Sequence, residues 1–240
     1  MRTRVVAFHK PIGLITSHRD EHGRETVYDR LRSLMPPALA SLDWHAIGRL
    51  DADTTGLLLF TNDGALIHHA THAPHAPQPA THATHATHTT DATQPAPRLD
   101  KTYRVLAKGL LTDAQLERLR SGVELTGGLG QSAPATVLVT GHQIATTWLE
   151  LTIAEGKNRQ VRRMLLAVDS QVIRLARVRF GGLVLDLPEN SWRELSPLEI
   201  ERDLGYAVRP LEASRRPTPS KTSRPVAVSP AAPRTRRSRP

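Results

Sequence analysis

Two short stretches of this chain carry residue types that could do chemistry. In Gly48-Arg49-Leu50-Asp51-Ala52-Asp53-Thr54-Thr55-Gly56 a carboxylate stands beside an arginine, and the apolar run Leu57-Leu58-Leu59-Phe60 follows at once. A loop anchored on a buried strand is where a reactive group can be placed accurately. An aspartate there has the chemistry of a nucleophile or a base. Spacing alone leaves Asp51 and Asp53 as competitors, and an ordinary surface turn would contain the same residues. The second stretch is Ala154-Glu155-Gly156-Lys157-Asn158-Arg159-Gln160-Val161-Arg162-Arg163-Met164. A glycine turn delivers Lys157 just ahead of a helix whose Arg159, Arg162 and Arg163 project away from its apolar side. Such a cationic face can hold phosphates or pair with a carboxylate, although amphipathic helices often carry solvated arginines.

The elements that must position these groups follow from periodicity. Val5 to Phe8 reads as a short strand ended by Lys10-Pro11-Ile12-Gly13. Thr26 to Leu34 has Val27, Leu31 and Leu34 at helical spacing. Gly56 to Thr61 is a buried strand closed by the turn Asn62-Asp63-Gly64. Thr102 to Ala107 places Tyr103, Val105 and Ala107 on one face, which predicts a half-buried strand. Thr112 and Gln115 form a capping box ahead of Leu116 and Leu119, and Gly122 stops that helix. Ala135 to Val139, Thr146 to Ala154 and Val172 to Phe180 are further strands. Val161, Met164, Leu165 and Val168 fall at i, i+3, i+4 and i+7 of a helix. Strands with interspersed helices and no regular βαβ rhythm predict an α+β fold.

Composition narrows the functional classes. Cysteine is absent, which excludes disulfides and thiolate metal sites and fits a cytoplasmic setting. No run approaches the roughly 20 apolar residues that cross a bilayer, so no membrane partner is expected. The net charge of +9 suggests a polyanionic partner, but eight Lys or Arg and no acid lie in residues 213–240. The body before that holds 24 basic against 23 acidic side chains. Within the body, Lys157 to Arg179 carries seven basic residues against Asp169 alone, and that cluster is the electrostatic signal. The tail, rich in Pro, Ser, Thr and Arg, is expected to be disordered. The same holds for residues 72–97, where Thr-His-Ala recurs at 71, 81 and 84 among five prolines. Seven of the 12 histidines lie between His68 and His88. A proline-broken tract offers metals no preset geometry, so it reads as a variable loop extension rather than a metal site.

Lys10-Pro11-Ile12-Gly13, Arg49-Leu50-Asp51, Lys101-Thr102-Tyr103 and Glu155-Gly156-Lys157-Asn158-Arg159-Gln160-Val161-Arg162-Arg163-Met164 stand in the order of four motifs of the bacterial ribosomal small-subunit/large-subunit pseudouridine synthase family. The resemblance covers roughly residues 4 to 200. Many members carry an N-terminal S4-type RNA-binding domain, whereas this sequence opens on the catalytic domain's first strand. In that respect, and in Ser132-Ala133-Pro134-Ala135 and Ser191-Trp192-Arg193-Glu194-Leu195, it is most similar to the large-subunit synthase E branch.

The resemblance implies a pseudouridine synthase fold: a mixed, mainly antiparallel sheet with flanking helices and a central cleft, formed by residues 1–71 and 98–212. It implies Asp51 as the nucleophile, Arg49 as a residue that sets the loop's geometry, and Tyr103 as the platform that stacks on the target base. Arg162 would pair with the catalytic aspartate, and Lys157 would join the same electropositive pocket. The implied reaction breaks the N1–C1′ bond of a uridine in ribosomal RNA, turns the base and joins C5 to C1′. An ionised carboxylate supplies the nucleophile, and the uridine leaves its stack at a cost of a few kcal/mol. No cofactor and no metal are implied, and the protein is expected to act as a monomer on ribosomal RNA, most plainly that of the large subunit. The rival readings are the same chemistry on small-subunit or transfer RNA, and an RNA-binding ribosome-assembly factor.

Overall fold

A computed structural model describes residues 2–21, 23–72 and 99–208. Its elements run β1 (Val5–Lys10), α1 (Val27–Leu34), α2 (Pro37–Ala40), β2 (His45–Ile47), β3 (Thr55–Thr61), α3 (Gly64–His72), β4 (Lys101–Lys108), α4 (Asp113–Ser121), β5 (Glu124–Leu125), β6 (Gly130–Gln131), β7 (Thr136–Gln143), β8 (Thr146–Ile153), α5 (Gln160–Ala167), β9 (Val172–Phe180), β10 (Leu183–Val184), β11 (Trp192–Glu194) and α6 (Pro197–Leu204). Most of the His-Thr-Ala segment and all of the basic tail, both expected to be disordered, lie outside the described residues.

Nine strands make one sheet in the order β11-β1-β3-β9-β4-β8-β7, with β2 beside β3 and β10 beside β9. Within this sheet every strand pairing is antiparallel except β3 with β9, where Thr55 faces Ala176 and Gly56 faces Arg177. The expected mixed, mainly antiparallel sheet with flanking helices is therefore what the chain forms.

Alternation along the strands explains the layering. Val6 and Phe8 of β1 and Leu58 and Phe60 of β3 join the larger core, with Leu31 of α1, Leu119 of α4 and Met164 of α5. Their neighbours Val5, Ala7, Leu57 and Leu59 join a second core with Leu66 of α3 and Leu204 of α6. Helices thus cover both faces of β1 and β3, which is why Leu57 to Phe60 is an unbroken apolar run. At the β7 end of the sheet, β8 alternates between buried and half-buried residues. The half-buried reading of Thr102 to Ala107 needs correction. β4 lies inside the sheet between β9 and β8, and Thr102, Tyr103, Val105, Leu106 and Ala107 are all buried.

Three helices start as their sequences dictate. Thr26 with Asp29, Thr112 with Gln115, and Ser196 with Glu199 close capping boxes at α1, α4 and α6. The helix α5 differs. Its N-cap is Arg159, which has a left-handed backbone (φ 49°) and makes no side-chain capping bond. A non-glycine residue in that region is uncommon and is held there by its surroundings.

Candidate active site

The loop that carries Asp51 is fixed by the end of β1 and the turn after it. Gly13 donates its backbone N–H to the carbonyl of Ala52 at 2.8 Å, and the Thr54 amide closes a turn on the Asp51 carbonyl at 3.1 Å. Thr16 grips Leu50 twice: its hydroxyl donates to the Leu50 carbonyl at 2.7 Å and accepts from the Leu50 amide at 3.3 Å. Beneath the loop lies Lys10, with no exposed surface. Its Nζ donates to the carbonyls of Thr54 (2.9 Å), Pro11 (3.0 Å) and Ala52 (3.5 Å). Burial pushes the Lys10 ammonium down to about 8, against the pull of the Asp53 and Asp51 charges.

At Gly56 the loop joins the sheet where a side chain cannot be accommodated. Its φ is 109°, and a Cβ there would lie 2.3 Å from the carbonyl oxygen and 2.6 Å from the amide nitrogen of Arg177. The missing side chain lets β3 start directly against β9.

The opposite wall is the approach to α5. Gln160 is buried; its side chain accepts from the Lys157 amide at 3.0 Å and donates to Glu155 at 2.5 Å, while Glu155 also accepts from the Ala133 amide at 2.8 Å. The left-handed turn at Arg159 sends its guanidinium to both aspartates. Nη1 lies 3.4 Å from Asp51 Oδ2, and Nη2 donates to Asp53 Oδ2 at 2.9 Å. Arg162 lies 3.1 Å from Asp53 Oδ1 and donates to the Asp53 carbonyl at 2.9 Å. Burial alone would raise the Asp53 carboxyl; the Arg159 hydrogen bond and the charges of Arg162 and Arg159 outweigh it and hold the carboxyl below its usual value.

Between the walls lies a cavity of about 660 Å³, lined by Arg49, Asp51, Tyr103, Lys157 and Arg162 together with Arg159 and Arg177. All five residues expected at the site thus converge on one cleft. Within it the contacts differ from expectation in two respects. The residue that reaches Asp51 is Arg159, while Arg162 serves Asp53, one turn of loop away. Lys157 turns from the carboxylates: its Nζ donates to the Gln131 carbonyl at 2.6 Å and lies 3.6 Å from Glu155. Arg49 is exposed at the cavity wall. Tyr103 is 9% exposed, set in the sheet beside Leu151 and Arg177, and lines the cavity.

The sequence reading gave no role to Lys10, counted Arg177 only within a basic cluster, and placed Arg159 only on a cationic helix face, without singling it out as the partner of Asp51. Lys10 and Arg159 stood inside the quoted motifs, but no pattern distinguishes a buried lysine from a turn lysine, or a left-handed arginine from the first residue of a helix.

Comparisons with known proteins place the chain in a family. The family model for RNA pseudouridylate synthase matches residues 4–167. Ribosomal large subunit pseudouridine synthase B of Escherichia coli K12 is 38% identical over 194 residues, covering 80% of this chain and 57% of that protein. The synthase B of Haemophilus influenzae is 35% identical over 227 residues, covering 89% and 55%. The chain therefore spans a little over half the length of these relatives. These relatives bear the name B, and the likeness to the E branch drawn from the sequence is not among what they support. A crystal structure of a pseudouridylate synthase superposes with a TM-score of 0.65 at 29% identity, over 85% of this chain and 75% of that one. With its mixed sheet, its cleft and a matched segment that contains both motif walls, the chain belongs to the RNA pseudouridylate synthase family.

Proposed function

We propose that this protein isomerises a uridine to pseudouridine in ribosomal RNA of the large subunit, with Asp51 as the nucleophile. The observation that carries the reading is Asp51 itself. It is a 35% exposed carboxylate on a loop pinned by β1, 3.4 Å from a guanidinium, facing a cavity that also holds Tyr103. The names of the relatives support the large-subunit target.

In this reading the target uridine leaves its stack and enters the cavity, where the Tyr103 ring offers the apolar face that offsets part of the unstacking cost. Arg159 and Arg162 hold the aspartate loop, so that Asp51 meets the base or its ribose without first having to be oriented. Arg49 and Lys157, nearer the rim, meet phosphates. The protein works as a monomer in the cytoplasm. No helix among the described residues is long and apolar enough to cross a membrane.

The experiment is a pseudouridine map of total RNA from cells with and without the gene, paired with tritium release from C5-labelled ribosomal RNA by the purified protein. One large-subunit position should lose its pseudouridine, and that RNA should release tritium. A map that does not change, together with no release, would end this reading. A lost position in small-subunit or transfer RNA would keep the chemistry and move the target.

A further inference from the structure

Five buried side-chain atoms among the described residues lack a hydrogen-bond partner, and three of them belong to residues lining the cleft: Thr54 Oγ1, Arg162 Nε and Arg177 Nη2. A buried donor left unpaired costs about 1–3 kcal/mol, more when it is charged, so each such atom calls for a partner, either a water or a group that enters the cleft. Arg177 is the extreme case. Its side chain is 1% exposed, and no carboxylate lies within ion-pair distance of it among the described residues. The guanidinium is also held rigidly. Nε donates to the Leu57 carbonyl at 2.8 Å, and Cζ sits 5.3 Å from the centre of the Phe180 ring.

Its place in the sheet says what could arrive. Arg177 on β9 is the register partner of Tyr103 on β4, so the two side chains stand side by side on the same face of the sheet. A hydrated, bulky phosphate is suited to the rim, where Arg49 and Lys157 lie. The floor beside Tyr103 suits the edge of a flat heterocycle, and a cavity of about 660 Å³ falls in the range that holds small organic ligands. We infer that Arg177 donates to a carbonyl oxygen of the target uracil and stabilises the negative charge the base carries while it is detached from the ribose.

This inference rests on the proposed uridine isomerisation. When the N1–C1′ bond breaks, its electron pair goes to the base and the Asp51 carboxylate bonds to C1′, to leave again with its electron pair when C5 takes its place; the detached uracil anion spreads its charge over O2 and O4. Arg177 keeps all its protons and lends one N–H to one of those oxygens. When C5 bonds to C1′, the C5 hydrogen leaves as a proton and N1 gains one, so no oxidant or reductant is needed. A fixed donor aimed at developing charge is where such a contact has its largest effect.

The test uses the full chain and a short RNA carrying the mapped uridine. Wild-type tritium release comes first, since its absence would remove the isomerisation reading itself and leave Arg177 with no reaction to assist. Given wild-type activity, Arg177→Met should slow single-turnover release by about a hundredfold while RNA affinity stays within about twofold. Should that variant fold poorly, Arg177→Lys keeps the charge and reaches the Leu57 carbonyl but lacks the second prong. It should melt within a few degrees of wild type and keep less than about a tenth of the rate. RNAs with 2-thiouridine or 4-thiouridine at the site supply the signature that a purely structural residue would not move. At one of the two positions, the ratio of oxygen to sulfur rates should differ by about tenfold between wild type and Arg177→Lys. Equal ratios at both positions, or a folded Arg177 variant with the full rate, would overturn the assignment.

Discussion

The two walls of the cleft are built differently. The aspartate wall is fixed through its backbone: Gly13, Thr16 and Lys10 together satisfy polar groups of Leu50, Ala52 and Thr54, all within a few residues of Asp51. The cationic wall reaches across through long side chains, from a helix whose first turn is held by Gln160 and one left-handed arginine. Backbone bonds from a sheet restrict Asp51 to a narrow range of positions, whereas guanidiniums on flexible stems can follow a substrate as it enters. In the proposed reaction Asp51 is thus placed before RNA binds, and the cationic groups around it can be exchanged between Asp51, Asp53 and an incoming phosphate.

The sharpest way to break this comparison is to remove the group that the rigid wall exists to hold. Asp51→Asn has nearly the same shape and should melt within a degree or two of wild type, because the loop's backbone bonds do not use the carboxylate. RNA should bind as tightly as before or tighter. Tritium release should fall by more than about a thousandfold, as expected when an essential nucleophile is lost. Release near the wild-type rate would move the chemistry off this loop.

Lys10 tests the rigid wall itself. Its folded value of about 8 lies below the ordinary 10.5, so between those pH values the unfolded chain binds more protons than the folded one, and stability attributable to Lys10 must rise with pH. Below about pH 8 the full cost of burying the charge is present, and it is relieved as pH climbs toward 10.5. That relief is on the order of 3 kcal/mol at most. The difference in unfolding free energy between wild type and Lys10→Met, followed by urea titration from pH 7 to 10.5, should shift in favour of wild type over that window. A flat difference would mean that Lys10 is not sealed beneath the loop.

The cationic wall should be more forgiving. Arg159→Gln removes the one guanidinium that touches both aspartates, yet Arg162 still serves Asp53. A loss of about tenfold in the rate, worth about 1.4 kcal/mol, is expected, with little change in melting temperature. Asp53→Asn should do the same from the other side, since Asp53 anchors both arginines without being the nucleophile. Because the two residues share one contact, the double variant should be little worse than either single one. Multiplying losses would show that Arg159 and Asp53 act separately.

Much of this was legible in the sequence, for a definite reason. An unbroken apolar run such as Leu57 to Phe60 and a helical period such as Val161 to Leu165 announce themselves, and the Thr112 and Gln115 capping box states where α4 begins. The five residues expected at the site do line one cavity. The internal contacts were not legible. A charged residue in a strand reads as a solvated side chain, so Arg177 and Lys10 gave no sign that they are among the largest fully buried side chains. Arg159 reads as the start of a helix; its left-handed backbone comes just before the buried Gln160 that donates to Glu155, a tertiary contact that no local pattern announces. The short strands β2, β10 and β11 carry too few residues to show a period at all, and pairing with longer neighbours creates them.

The smallest effect is expected at Lys157, which stands on the flexible wall but is turned away from the carboxylates. Its ammonium is held by the Gln131 carbonyl and Glu155 and touches neither Asp51 nor Asp53. Removing it should leave the chemical step alone and weaken only the attraction of the rim for RNA. Lys157→Gln should therefore keep kcat within about twofold and raise KM a few-fold at low salt. One phosphate contact fewer also lowers the slope of log affinity against log salt by somewhat less than one. Titrations at 50 and 200 mM salt give that slope directly, and the penalty should shrink at the higher concentration. A fall in kcat with KM unchanged would place Lys157 against the reacting uridine, and the cationic wall would then have two members working at the chemistry instead of one.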